Sequence, residues 1–248
     1  MTPPAQPAPT VGIIYPDHAA EGDYAIAARL LEVRLPVVHV YGTDLHAVPE
    51  LLDLGSPERL AGGAALLEPH GPTSVIWACT SGSFVYGPDG ARRQADLLAE
   101  SAGVPASSTS LAYLAALAAL GLTRVAVAAS YPDGVARLFV DYLAAAGVEV
   151  VAMSSAGIRT AAEVGALDAD QVRTLAAEHD HPDAQALLVP DTAMRTLEVL
   201  PDLEARLGKP VLTANQVTVW EGLRLAGVPS HAASLGTLFT GGADRAGR

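Results

Sequence analysis

The sequence predicts an α/β fold of two similar lobes. Each lobe is expected to be a short parallel sheet flanked by helices, related by a pseudo-twofold, with the active site between them. Three observations predict it. Short apolar runs alternate with helical segments along the whole chain, the pattern of a parallel sheet covered on both faces. The runs are nearly continuous in apolar residues, as strands buried on both sides are. The order of runs and turn markers also repeats. Tyr15-Pro16-Asp17 returns as Tyr131-Pro132-Asp133, Cys79-Thr80 aligns with Asp191-Thr192, and Val104-Pro105 aligns with Lys209-Pro210.

Taken in order, 11–14 is a strand closed by Tyr15-Pro16-Asp17, followed by a helix over 24–31. Residues 37–41 form the second strand. A helix over 56–67 starts with Ser56 as N-cap and Pro57 at its first position. The third strand carries Cys79. A helix over 90–102 and a weak strand at 106–109 follow, then an alanine-leucine helix over 110–120 stopped by Gly121. The second half predicts strands at 124–129, 148–153, 186–189 and 211–213. Its helices fall at 135–146, 168–178, 194–207 and 217–225. The lobes are thus expected at 11–120 and 121–215, with 216–240 returning to the first. Residues 1–10, rich in Pro and Ala, read as a disordered tail, and 241–248 as a second tail.

The chain is organised around Val75-Ile76-Trp77-Ala78-Cys79-Thr80-Ser81-Gly82-Ser83. An apolar run ends at the only cysteine, and small hydroxylated residues and a glycine follow. Open α/β sheets bind ligands at such strand ends. Backbone N–H groups there lower a thiol's pKa and hold anions. Two readings of Cys79 stand at this point: a catalytic thiol, or a buried structural cysteine. Asp191, at the equivalent strand end, is either a helix N-cap or a group facing Cys79 across a cleft.

Half of the 248 residues are hydrophobic and the formal charge is −12. That charge argues against nucleic acid and anionic membranes as partners. No apolar run is long enough to span a bilayer. A single cysteine excludes an internal disulfide and fits a cytoplasmic protein. Dinucleotide, P-loop and nucleophile-elbow motifs are all missing. His179-Asp180-His181-Pro182-Asp183 reads as a solvated turn, so no metal site is expected.

The residues resemble the Asp/Glu racemase superfamily, in the branch of the maleate cis-trans isomerases and arylmalonate decarboxylases. Those that carry the likeness are Ala78 with the Cys79-Thr80-Ser81-Gly82-Ser83 block, Ala129-Ser130-Tyr131 and Leu187-Leu188-Val189-Pro190-Asp191-Thr192. Leu207-Gly208-Lys209-Pro210-Val211, Asn215-Gln216, Trp220 and Leu223-Arg224-Leu225-Ala226-Gly227 add to it. The resemblance implies a cofactor-independent enzyme, a small carboxylate or dicarboxylate substrate and a homo-oligomer. Most members carry one cysteine per lobe. Here Cys79 matches the first and Asp191 stands at the second, whereas arylmalonate decarboxylases keep only the second.

The resemblance therefore implies an isomerase of a small unsaturated dicarboxylate in which Cys79 attacks as a thiolate and Asp191 handles the proton. Tyr15, Thr80, Ser81, Tyr131, Thr192, Ala193 and Asn215 are the expected substrate-binding residues. The alternatives are a decarboxylase of a malonate-type acid, with Cys79 as proton donor, and a binding protein without turnover.

Overall fold

A computed structural model describes residues 9–17 and 19–240. The expected tails lie outside them, except that Pro9 and Thr10 are held at the edge of the first sheet, where the Arg34 N–H donates to the Pro9 carbonyl at 2.9 Å.

The first sheet is parallel, in the order β2-β1-β3-β4, with β1 Val11–Pro16, β2 Val37–Val40, β3 Ser74–Trp77 and β4 Ala106–Ser108. The second repeats it as β6-β5-β7-β8, with β5 Arg124–Ala129, β6 Glu149–Ser155, β7 Ala186–Val189 and β8 Val211–Thr213. Pro16 and Pro132 close or follow the first strand of their sheets, and Cys79 and Asp191 each lie two residues beyond the third. The sequence repeat is thus a repeat of sheet topology. In this order the first strand lies between the second and third. The crevice at the carboxyl ends of β1 and β3, and its counterpart at β5 and β7, is where the connections diverge to opposite sides.

The helices are α1 Gly22–Leu31, α2 Val48–Leu54, α3 Pro57–Leu67, α4 Ser81–Phe84, α5 Gly87–Ala102, α6 Thr109–Leu120, α7 Asp133–Ala145, α8 Ala161–Gly165, α9 Ala169–Ala177, α10 Leu200–Leu207 and α11 Ala214–Leu225. The last helix of each half reaches across to the other half. In α6 the buried Tyr113 hydroxyl donates to the Val189 carbonyl of β7 at 2.7 Å. In return, Ser74 Oγ of β3 donates to the Gly222 carbonyl of α11 at 2.7 Å. The two helices meet through Thr109 Oγ1 and Thr218 Oγ1, 2.7 Å apart. One apolar core therefore runs through both sheets, from Val11, Ile13 and Ile76 to Val125, Val127 and Leu188.

Two differences from the sequence expectation matter for the site. The helix expected over 194–207 starts only at Leu200, with Pro201 in its first turn. Residues 192–199 are held as a turn instead, because Asp23 of α1 accepts from the Thr196 N–H (2.9 Å) and Asn215 Nδ2 donates to the Thr192 and Met194 carbonyls (3.2 and 3.3 Å). Helices α2 and α8 were not expected. Both are short and begin in segments whose polar, Gly- and Pro-containing flanks read as loop.

Candidate active site

The carboxyl ends of β1, β3 and β7 converge on a narrow cleft. Cys79 and Ser81 line it from the first sheet, and Asp191, Thr192 and Ala193 from the second. Tyr15 and Pro16 form its floor, and the segment 42–46 with Leu51 and Leu54 forms its roof.

β3 delivers Cys79 because its side chains are wholly buried and the strand can end only in a turn. Thr80 turns into the α-helical region and α4 begins. The Gly82 N–H then donates to Cys79 Sγ at 3.2 Å, and Ser81 Oγ lies 3.8 Å away. A Cβ at Gly82 would stand 3.1 Å from both Sγ and the Trp77 ring, a tight fit that a larger residue would disturb. The Ser81 N–H also faces the Cys79 sulfur. Among the described residues, Thr80 Oγ1 is buried without a hydrogen-bond partner.

Burial pushes the Cys79 thiol up to about 11, and the negative charge of Asp191 adds to the rise. The Gly82 N–H and Ser81 hydroxyl pull the other way but do not win. This corrects the expectation of an activated thiolate. α4 is a single turn of four residues, too short to outweigh desolvation.

Asp191 is equally well placed. Ser130 Oγ donates to its Oδ2, and the Ala193 N–H donates to Oδ1 at 2.9 Å, closing a tight turn. The main chain on both sides is clamped. Tyr15 donates its hydroxyl to the Thr192 carbonyl at 2.7 Å and accepts the Ala20 N–H at 3.0 Å. The Tyr131 hydroxyl donates to the Pro190 carbonyl. Burial raises both phenols well above their usual range, so they stay protonated.

Of the nine expected site residues, Cys79, Asp191, Tyr15, Ser81, Thr192 and Ala193 line the cleft. Thr80, Tyr131 and Asn215 do not. Thr80 is enclosed directly behind Cys79. Tyr131 is turned onto Pro190. Asn215 is fully buried, bonded to Asp23, Thr192 and Met194, with its Oδ1 accepting from Tyr24 at 2.9 Å.

The roof was missed from sequence. It is laced to the second lobe, with the His46 N–H on the Arg159 carbonyl (2.8 Å) and the Ala161 N–H on the Asp44 carbonyl (2.9 Å). This brings His46 into the cleft, with Nε2 3.9 Å from Asp191 Oδ2. The available signal was positional: 42–46 follows the carboxyl end of β2, the edge that carries the other site residues. No lysine or arginine is among the lining residues. Among the described residues there is no cluster of acidic, His or Cys groups suited to a metal, and no helix long and apolar enough to cross a membrane.

Residues 55–239 match the family described as arylmalonate decarboxylase. The chain belongs to that family, in the branch of the Asp/Glu racemase superfamily that also holds maleate isomerases. It is 32% identical to arylmalonate decarboxylase of Bordetella bronchiseptica over 222 residues, covering 88% of this chain and 91% of that one. It is 26% identical to maleate isomerase of Geobacillus stearothermophilus over 173 residues, 67% and 69% of the two chains. In three dimensions it is similar to a liganded arylmalonate decarboxylase variant with a glycine-to-cysteine and a cysteine-to-serine exchange (TM-score 0.83, 26% identity, 94% and 99% covered). The fold is shared with maleate isomerase Iso of Pseudomonas putida S16 (TM-score 0.85, 23% identity, 95% and 99% covered). Both activities thus occur among the relatives of this member of the arylmalonate decarboxylase family.

Proposed function

We propose that the chain is a cofactor-independent isomerase of a small unsaturated dicarboxylate, with maleate as the representative substrate and Cys79 as the nucleophile. The observation that carries this reading is that Cys79 and Asp191 occupy equivalent strand-end turns of the two sheets and line one cleft. Isomerisation through a thiol adduct needs a sulfur on one carbon and a proton on its neighbour. Sulfur bonds to one olefinic carbon as the Cys79 proton leaves to solvent at the cleft mouth, and Asp191, having taken up a proton from solvent, gives it to the other carbon. The former double bond rotates. Asp191 then takes the proton back, sulfur leaves as the trans double bond forms, and Cys79 is reprotonated.

With no lysine or arginine lining the cleft, the carboxylates are held by neutral donors: the Thr192 N–H and the hydroxyls of Ser81 and Thr192. A preorganised donor of this kind stabilises the enediolate-like transition state by about 3–4 kcal/mol.

A second reading, decarboxylation of a malonate-type acid, is favoured by one specific observation. The buried thiol, with its pKa pushed up to about 11, rests protonated. That is the state needed to deliver a proton to the enediolate left by loss of carbon dioxide.

The deciding experiment incubates the protein with maleate and, separately, with phenylmalonate. Fumarate and carbon dioxide are followed, and intact mass is measured after rapid quenching. Fumarate with a succinyl increment on Cys79, both lost in Cys79→Ala, supports the isomerase. Carbon dioxide without an adduct replaces it with the decarboxylase. Binding of either acid with no product replaces both with a binding protein.

A further inference from the structure

The geometry points to His46 as the positioning partner of Asp191, the two forming a proton-sharing pair that stands in for the missing second thiol. The inference rests on the reading of Asp191 as the acid that faces Cys79.

A carboxylic acid that must give a proton to carbon and take it back in every turnover needs a fixed orientation and a local place for that proton. The structure supplies both. Ser130 Oγ and the Ala193 N–H hold Asp191 from two sides. From the roof, the buried His46 ring stands edge-on to Tyr131, with centroids 5.0 Å apart at 90°. Its Nδ1 lies 3.1 Å from the Ile158 carbonyl. A carbonyl only accepts, so Nδ1 carries the hydrogen in the neutral ring and Nε2 presents its lone pair. That lone pair is the atom 3.9 Å from Asp191 Oδ2.

This separation is about 1 Å longer than a hydrogen bond, the usual state of a catalytic contact before substrate closes the site. The pair holds one proton between Oδ2 and Nε2; when Asp191 gives it to carbon, a carboxylate is left beside the neutral ring. On elimination, the proton taken from carbon restores the pair. The number of protons on the pair is the same at the start and end of each turnover.

Packing alone does not account for the ring. The roof is already tied down by its own backbone at His46 and Asp44. The bond from Nδ1 to Ile158 adds no closure but selects which nitrogen meets Asp191.

The test uses the full chain with 15N-labelled histidine. Its first readout needs no substrate. The His46 resonances, identified by their loss in His46→Gln, should report the Nδ1–H form of the neutral ring, and the Nε2 resonance should move in Asp191→Asn. A neutral ring carrying its hydrogen on Nε2, or an Nε2 resonance indifferent to Asp191→Asn, overturns the pair. The second readout is turnover of maleate. His46→Gln and His46→Asn should each lower kcat by about 10²-fold with KM within about twofold, Asn retaining the tether to Ile158 but offering nothing to Asp191. Wild-type kcat in both variants, with folding verified by circular dichroism, overturns the relay. Should the wild-type chain not turn over maleate, the isomerase reading falls while the resonances still decide whether the pair exists.

Discussion

Cys79 should be a slow thiol in the absence of substrate, and the structure sets how slow. At pH 8 a thiol of ordinary pKa 9.0 is about 9% ionised, whereas one pushed up to about 11 is about 0.1% ionised. The loss of thiolate is about a hundredfold. A more basic thiolate is also the better nucleophile, which returns about a factor of eight. The net expectation is alkylation about tenfold slower than a free thiol, before any effect of enclosure. Because Cys79 is the only cysteine, the iodoacetamide rate followed by intact mass reports this one site. The logarithm of the rate should climb steadily from pH 7 to 10. A plateau below pH 8.5 would show that the Gly82 N–H and Ser81 hydroxyl outweigh burial and would refute the reasoning. Linkage gives an independent check. The folded pKa lies above the unfolded one, so the stability present below pH 9.0 is lost as pH rises toward 11, by about 2–3 kcal/mol at most.

Asp191→Asn keeps an acceptor for the Ala193 N–H, so thermal stability should hold while turnover falls by about 10²–10⁴; full activity in a steady-state assay would leave Cys79 acting alone. Asp23→Ala removes the acceptor shared by the Thr196 N–H and Asn215 Nδ2, and with about 1–3 kcal/mol for each buried orphan the urea midpoint should fall clearly. Gly222→Ala places a Cβ 2.3 Å from Val11 Cγ1, so α11 must shift off β1 at a cost of about 1–3 kcal/mol, measured as a lower melting temperature.

The sheets were legible because their signals are local. The inner strands β1, β3, β5 and β7 are buried apolar runs, and β5 and β7 fall at the expected residues. The turns at Cys79 and Asp191 were legible for the same reason, as positions in a repeated order. The start of α10 was not. Residues 194–199 have helical composition, but Asp23, some 170 positions away, takes the Thr196 N–H and holds the segment as a turn. Asn215 was misplaced by a related cause. It neighbours the site in sequence pattern, yet Asp23 and Tyr24 take up its polar atoms from behind. The thiol's acidity was misjudged because the sequence reveals the N–H donors beside Cys79 but not the depth of burial that opposes them.

These failures fall where the halves of the chain depart from their repeat. The repeat builds two sheets whose third strands each end in a turn that lines the one cleft. The proposed reaction requires the two faces of that cleft to differ. On one side is a thiol that burial keeps protonated. On the other is a carboxylate whose three polar neighbours, Ser130, the Ala193 N–H and His46, come from three separate segments. Of these, His46 sits on the roof between β2 and α2, and the corresponding connection after β6 instead supplies Ile158, Arg159 and Ala161 to hold that roof. The asymmetry is therefore located in one pair of equivalent loops that have taken unequal parts, one contributing an imidazole and the other its anchor. Exchange of Ile158 cannot remove that anchor, since it is a backbone carbonyl. The orientation of the His46 ring is thus held by the path of the chain rather than by any side chain at 158.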